Sequence, residues 1–170
     1  MTTERRSTIS KIRACASLAG ILQAERASGR TVALANGLFD LLHVGHVRYL
    51  EAASREADIL AVGINSDASA RSLKGPGRPL LPQDERAEIV AALACVDWVF
   101  VFDETTVEAA LLLLRPDVHC KGTDYTEENV PERETVLSYG GRIAIVGDPK
   151  AHATRDLIRE IARRFRDTPP

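Results

Sequence analysis

Five short runs of β-branched and apolar residues, Thr31 to Ala35, Asp58 to Ile64, Trp98 to Phe102, Asp117 to Cys120 and Arg142 to Val146, recur along the chain with helically spaced stretches between them. The helical spacing covers Val44 to Glu56, Gln83 to Ala94, Val107 to Leu114 and, more weakly, Pro131 to Tyr139. Strands separated by whole helices form βαβ units, whose crossovers cover both faces of a parallel sheet. Two further helical stretches bracket this core. One runs near Ile12 to Ala27; the other, Thr154 to Phe165, carries Leu157, Ile158, Ile161, Ala162 and Phe165 on one stripe. The expected architecture is α/β, a three-layer sandwich around a five-stranded parallel sheet, in a single domain over residues 11–166. Met1 to Ser10 and Asp167 to Pro170 are expected to be mobile tails.

At 170 residues the chain can bury roughly 70% of its unfolded surface, enough for a core without disulfide or metal staples. Apolar residues make up 45% and charged residues 27%, a balance that excludes a disordered or fibrous chain. With 22 Lys and Arg against 24 Asp and Glu, the net charge is -2. No bulk field draws nucleic acid or an anionic membrane, so neither is an expected partner. The longest near-continuous apolar run, Ile89 to Val96, falls far short of the ~18 to 20 residues of a membrane span. The charged N-terminus, MTTERRSTISKIR, lacks the apolar stretch of a secretory signal, and a cytoplasmic location is expected. Cys15, Cys95 and Cys120 are widely spaced and outside any C-x-x-C pattern, and read as packed, reduced thiols.

The first strand runs into Asn36-Gly37-Leu38-Phe39-Asp40-Leu41-Leu42-His43-Val44-Gly45-His46 and then directly into a helical pattern. Ligands of parallel sheets sit beyond the carboxyl ends of the strands, where a helix N-terminus offers free N–H groups and a positive dipole end to phosphate. His43 and His46, three apart at that helix start, can share one side of it. Gly45 between them removes a side chain where a phosphate needs close approach. As metal ligands the pair would need a third partner, which the spacing does not supply. Lys121-Gly122-Thr123-Asp124 follows another strand end on the same side of the sheet. Lys74 and Arg78 flank Gly75-Pro76-Gly77 and are expected in one Gly-rich loop.

ANGLFDLLHVGH resembles the Gly-x-Phe-Asp-x-x-His-x-Gly-His signature of the cytidylyltransferase-like nucleotidyltransferase superfamily. The similarity continues through Val62-Gly63-Ile64-Asn65-Ser66-Asp67, Leu73-Lys74-Gly75, Arg78-Pro79, Arg86, Val96-Asp97, Arg115-Pro116-Asp117 and Lys121-Gly122-Thr123-Asp124-Tyr125, and spans about Lys11 to Arg164. It implies a Rossmann-like fold with strand order 3-2-1-4-5. Within the superfamily the segments are most similar to enzymes that transfer AMP from ATP to D-glycero-β-D-manno-heptose 1-phosphate, giving ADP-heptose, a lipopolysaccharide core precursor, and pyrophosphate. The resemblance implies catalytic roles for His43, His46 and Lys74. It implies nucleotide contacts from Asn36, Gly37, Phe39, Asp40, Gly45, Arg86, Lys121, Gly122, Asp124, Thr154 and Arg155. It implies sugar-phosphate contacts from Asn65, Asp67, Arg78, Asp97 and again Lys121. Mg²⁺ is expected mainly on the ATP phosphates, with Asp40 helping to organise it, and a homodimer is expected. In many relatives the activity is half of a bifunctional kinase–adenylyltransferase. A kinase of ~300 residues does not fit in this chain, so the stand-alone form, with a separate sugar kinase upstream, is expected.

The chemistry agrees. A sugar phosphate has a second pKa near ~6, so its oxygen is already largely anionic at pH 7 and needs no general base. The reaction calls for positioning and charge neutralisation. The chain departs from the superfamily pattern at His152-Ala153-Thr154-Arg155-Asp156, where relatives open the last helix with hydroxyl residues. Thr154 is expected to be its N-cap and a phosphate donor, with Arg155 supplying a charge. Asp67 and Asp97 are equally open to a capping role. Two alternatives are a CTP-dependent enzyme acting on glycerol 3-phosphate or a related alcohol phosphate, and a catalytically silent nucleotide-binding domain.

Overall fold

The computed structural model describes residues 7–149 and 153–166. Five strands, β1 (Val32–Gly37), β2 (Ile59–Asn65), β3 (Trp98–Phe102), β4 (Val118–Gly122) and β5 (Arg142–Val146), form one all-parallel sheet in the order β3-β2-β1-β4-β5. The helices are α1 (Cys15–Ala27), α2 (Val44–Ser54), α3 (Asp67–Lys74), α4 (Gln83–Ala91), α5 (Glu108–Leu114), α6 (Arg133–Ser138) and α7 (Thr154–Arg164). This is the Rossmann-like sandwich expected, with the expected strand order.

Side chains alternate across the sheet. Ala33, Ala35, Leu60, Val62 and Ile64 pack with Leu50 and Ala53 of α2 and with Ala87, Val90 and Ala91 of α4. Val32, Leu34, Ile59, Ala61 and Phe100 pack with Leu18 and Leu22 of α1 and with Leu111 and Leu114 of α5. With both faces covered, a central strand has no reason to alternate in polarity, and β2 is buried at every position. The chain moves outward from β1 through β2 to β3, then returns to the other side of β1 for β4 and β5. That reversal opens a crevice beyond the carboxyl ends of β1 and β4.

Four local differences from the expected elements have physical causes. The chain is already ordered at Thr8–Lys11, a 3-10 turn, and Ile12 bridges to Val99, so α1 begins at Cys15 rather than Ile12. Residues 1–6 and 167–170, the rest of the expected tails, lie outside the described residues. Helix α3 lies outside the expected elements: it is eight residues long, is mostly polar, and has one large apolar side chain, Leu73, which is exposed. It begins where Ser66 Oγ accepts the Ser69 amide, and it makes Lys74 a helix end rather than a loop residue. Helix α7 keeps its apolar stripe, yet none of its residues is buried. Among the described residues no helix is long and apolar enough to cross a membrane.

Candidate active site

The crevice at the strand reversal is a cleft of about 910 Å³. Its first wall is the turn after β1. A Cβ on Gly37 would lie 3.1 Å from the Phe39 ring, so a larger residue there would press the ring out of place by a few tenths of an ångström. Phe39 sits at φ 48, a left-handed conformation uncommon for a bulky side chain and a mark of a constrained site. Its ring, largely buried, meets His46 edge-on at 5.2 Å. Asp40 holds the facing loop: its Oδ1 accepts the Leu80 and Leu81 amides at 2.7 and 3.0 Å, and its Oδ2 accepts Arg78 Nε at 2.5 Å. Arg86, fully buried, donates to the carbonyls of Leu38 and Leu81 and pairs with Asp67 at 2.8 Å. From α4 it thereby holds three segments together: the turn after β1 through Leu38, the loop before α4 through Leu81, and the start of α3 through Asp67.

Helix α2 starts at the cleft. His43 is its N-cap residue and His46 lies in its first turn. Their rings stack with centroids 3.9 Å apart and planes 23° from parallel. Nδ1 of each ring is shielded from solvent. Burial, and then the neighbouring His43, push the His46 pKa down to about 4. At neutral pH His46 is therefore uncharged and acts as a hydrogen-bond group at the positive end of a helix. The opposite wall comes from the end of β4. Lys121 Nζ reaches toward Asn36 Oδ1 at 3.4 Å and lies 5.2 Å from the centre of the Tyr125 ring. Beneath it Cys120 is a free thiol that burial pushes up to about 12, which makes it inert.

The structure brings most expected site residues to this cleft: Asn36, Gly37, Phe39, Asp40, His43, Gly45, His46, Asn65, Lys74, Arg78, Lys121, Gly122, Asp124, Thr154 and Arg155. It does not bring Asp97, Arg86 or Asp67 there. Asp97 precedes β3 at the other end of the sheet, where its Oδ2 accepts the Leu60 amide at 2.9 Å. Arg86 spends Nε and Nη1 on the Leu81 and Leu38 carbonyls and Nη2 on Asp67 Oδ1, outside the cleft lining. Asp40 lines the cleft, but its two oxygens already accept three hydrogen bonds, so its work is to shape a loop. Among the described residues no group of three or more His, Cys, Asp or Glu is arranged to hold a metal ion. The N-cap of α7 is Ala153, not Thr154, and it gives no side-chain cap. Thr154 instead directs its hydroxyl to the Leu41 carbonyl at 3.4 Å, and Arg155 is exposed at the rim. His152 lies outside the described residues.

Several lining residues escaped the sequence reading, among them Arg48, Thr105, Thr106, Glu132 and Asp148. Thr105 and Thr106 follow the carboxyl end of β3, so the strand-end rule already pointed to them. Arg48, also on α2, pairs with Asp148 at 2.9 Å across the rim.

An open parallel sheet with a helix N-terminus, two imidazoles and a lysine at its reversal point defines an α/β phosphate-directed binding domain. Residues 34–162 match the cytidylyltransferase-like family, and the chain belongs to it. It is 51% identical over 156 residues to the bifunctional protein HldE of Syntrophotalea carbinolica, covering 92% of this chain and 32% of that one. Against the HldE of Geobacter sulfurreducens it is 51% identical over 148 residues, covering 87% and 30%. The chain thus spans about a third of the length of these curated relatives. The crystal structure of a lipopolysaccharide core biosynthesis protein from Thermoplasma volcanium shares the fold, with TM-score 0.63 and 24% identity over 72% of this chain and all of that one.

Proposed function

We propose that this chain transfers AMP from ATP to D-glycero-β-D-manno-heptose 1-phosphate, forming ADP-heptose and pyrophosphate in the cytoplasm. The observation that carries the reading is the stacked His43–His46 pair at the start of α2, in one cleft with Lys121. Identity of 51% with the two HldE proteins supports the heptose acceptor, as does the resemblance in Asn65-Ser66-Asp67 and Lys121 to Tyr125.

In this reaction an oxygen of the sugar phosphate attacks the α-phosphorus of ATP. The bond from that phosphorus to the oxygen bridging to the β-phosphorus breaks, and the electron pair leaves with pyrophosphate. No proton needs to be removed, since the attacking oxygen is already anionic. The chain's task is electrostatic. Uncharged His46 donates an N–H to charge developing at the α-phosphate, and the α2 N-terminus adds its dipole. His43 flanks the same oxygens. Lys74 and Arg155 meet the departing phosphates, and Arg78 and Lys121 hold the sugar phosphate in line. MgATP is the substrate form: without a ligand cluster among the described residues, the ion comes with the triphosphate.

The acceptor comes from a sugar kinase, and a homodimer is the expected assembly. The test is pyrophosphate release from four nucleoside triphosphates against a panel of sugar 1-phosphates, with products identified by mass spectrometry. Fastest formation of ADP-heptose from the β-anomer is expected. Faster turnover with CTP and glycerol 3-phosphate, or with the α-anomer, would overturn the substrate assignment.

A further inference from the structure

Between β4 and α6, at the floor of the cleft, Lys121 sits in a charged cluster with Glu132 and His119, two residues to which the reaction above gives no role. Lys121, next to last in β4, has a side chain only 9% exposed, and Glu132, the N-cap residue of α6, is 6% exposed. Lys121 Nζ lies 3.1 Å from Glu132 Oε2 and donates to Oε1 at 3.3 Å. His119, two residues back on β4 and so on the same face, is fully buried, with Nε2 3.7 Å from Glu132 Oε2.

Burying an ammonium this deeply without a counter-charge is strongly unfavourable, and its four-carbon stem would otherwise sample many rotamers. Glu132 meets both requirements. Its Oε2 is shielded from solvent, and its charge would repel a phosphate, so it does not contact the substrate itself. An ammonium has three N–H donors. One goes to Glu132 and one to Asn36, which leaves one for the cleft.

We propose that Glu132, backed by His119, is a positioning residue that clamps the Lys121 ammonium between Asn36 and the Tyr125 ring, so that its remaining N–H meets a phosphate oxygen of the sugar substrate. The last clause rests on the function proposed above; the clamp itself does not. Burial raises the Glu132 pKa, but His119 and Lys121 beside it lower it by more, to about 2, so the carboxylate stays charged at working pH. Burial lowers the His119 pKa, which leaves a neutral ring beside it.

The full chain has four lysines, at 11, 74, 121 and 150. With ¹⁵N-lysine labelling, the Lys121 ammonium, assigned by its loss in Lys121→Met, is expected as a resolved, slowly exchanging signal. Glu132→Gln should abolish or shift it, and Glu132→Asp, which draws the carboxylate back from Nζ, should do so partly. An unchanged Lys121 signal in Glu132→Gln would overturn the clamp. Kinetically, Glu132→Gln should raise KM for the sugar phosphate about tenfold or more with a smaller change in kcat. In a Lys121→Met background it should add nothing; an additive loss there would mean that Glu132 acts elsewhere. If Glu132→Gln fails to fold, the signal is read in Glu132→Asp, and the double variant, which leaves no buried charge of this pair, supplies the kinetic comparison. Absence of turnover in the wild-type chain with every substrate pair would remove the proposed function, while the ammonium signal would still decide the clamp.

Discussion

The two ends of the sheet use the same kinds of residue for opposite purposes. At the amino end, each of three aspartates that precede a strand accepts a backbone amide of its neighbour. Asp58 takes the Thr31 amide at 2.8 Å, Asp97 the Leu60 amide at 2.9 Å and Asp117 the Val32 amide at 2.8 Å. These carboxylates finish the ladder where the adjacent backbone has run out of partners. At the carboxyl end, polar side chains are instead tied to one another: Asp40 to Arg78, Lys121 to Glu132, His43 to His46. They surround open space rather than closing it. The amino end closes its ladder with carboxylates, whereas the carboxyl end keeps a cleft open, and even there Asp40 accepts the Leu80 and Leu81 amides to hold a wall in place.

The sharpest way to break this contrast is at the histidines. His43→Ala and His46→Ala should each lower kcat by about 10² or more, because each removes a donor to transition-state charge, while circular dichroism stays unchanged. Near-wild-type turnover in both would strip the carboxyl end of its catalytic assignment.

A second test uses pH. The folded-state pKa of His46, about 4, lies below its ordinary 6.5. The contribution of this group to stability is therefore full above pH 6.5 and is lost as pH falls toward 4, by about 2 to 3 kcal/mol. Denaturant titrations across that window should show the slope in the wild type and a flatter one in His46→Gln. Equal slopes would mean that His46 is not held neutral by burial.

At the amino end, Asp97→Ala should cost about 1 to 2 kcal/mol of stability by orphaning the Leu60 amide, with kcat and KM unchanged. A rise in KM for the sugar phosphate would return Asp97 to the substrate site. The weakest expected effect belongs to Arg155, exposed at the rim, where Arg155→Ala should raise KM for the nucleotide about two- to fivefold without moving Tm. A change in Tm alone would make it a surface residue.

Much of this contrast was legible in the chain because it is local. Strand-then-helix alternation is a matter of periodicity, and the turn carrying His43 and His46 is continuous from β1 into α2. The same rule placed Lys121 and Gly122 on the ligand side. Helix α3 was not legible, since a helix of eight mostly polar residues is too short and too poor in large apolar side chains to stand out from a loop. The amino-end aspartates were ambiguous for a different reason: a cap and a ligand use the same carboxylate, and the partner amide lies on another strand.

Residue order along the chain was thus enough for the architecture, the strand order implied by the family signature and the turn that carries His43 and His46. These depend on signals a few residues long. Packing alone turned Arg86 inward to join two loops, left the stripe of α7 unburied among the described residues, and chose Glu132 among the neighbouring Glu127, Glu128 and Glu134 as the partner of Lys121. Those outcomes depend on how separate strands and helices meet, because a buried charge selects the counter-charge that packing brings within about 4 Å, however far away it lies in the chain.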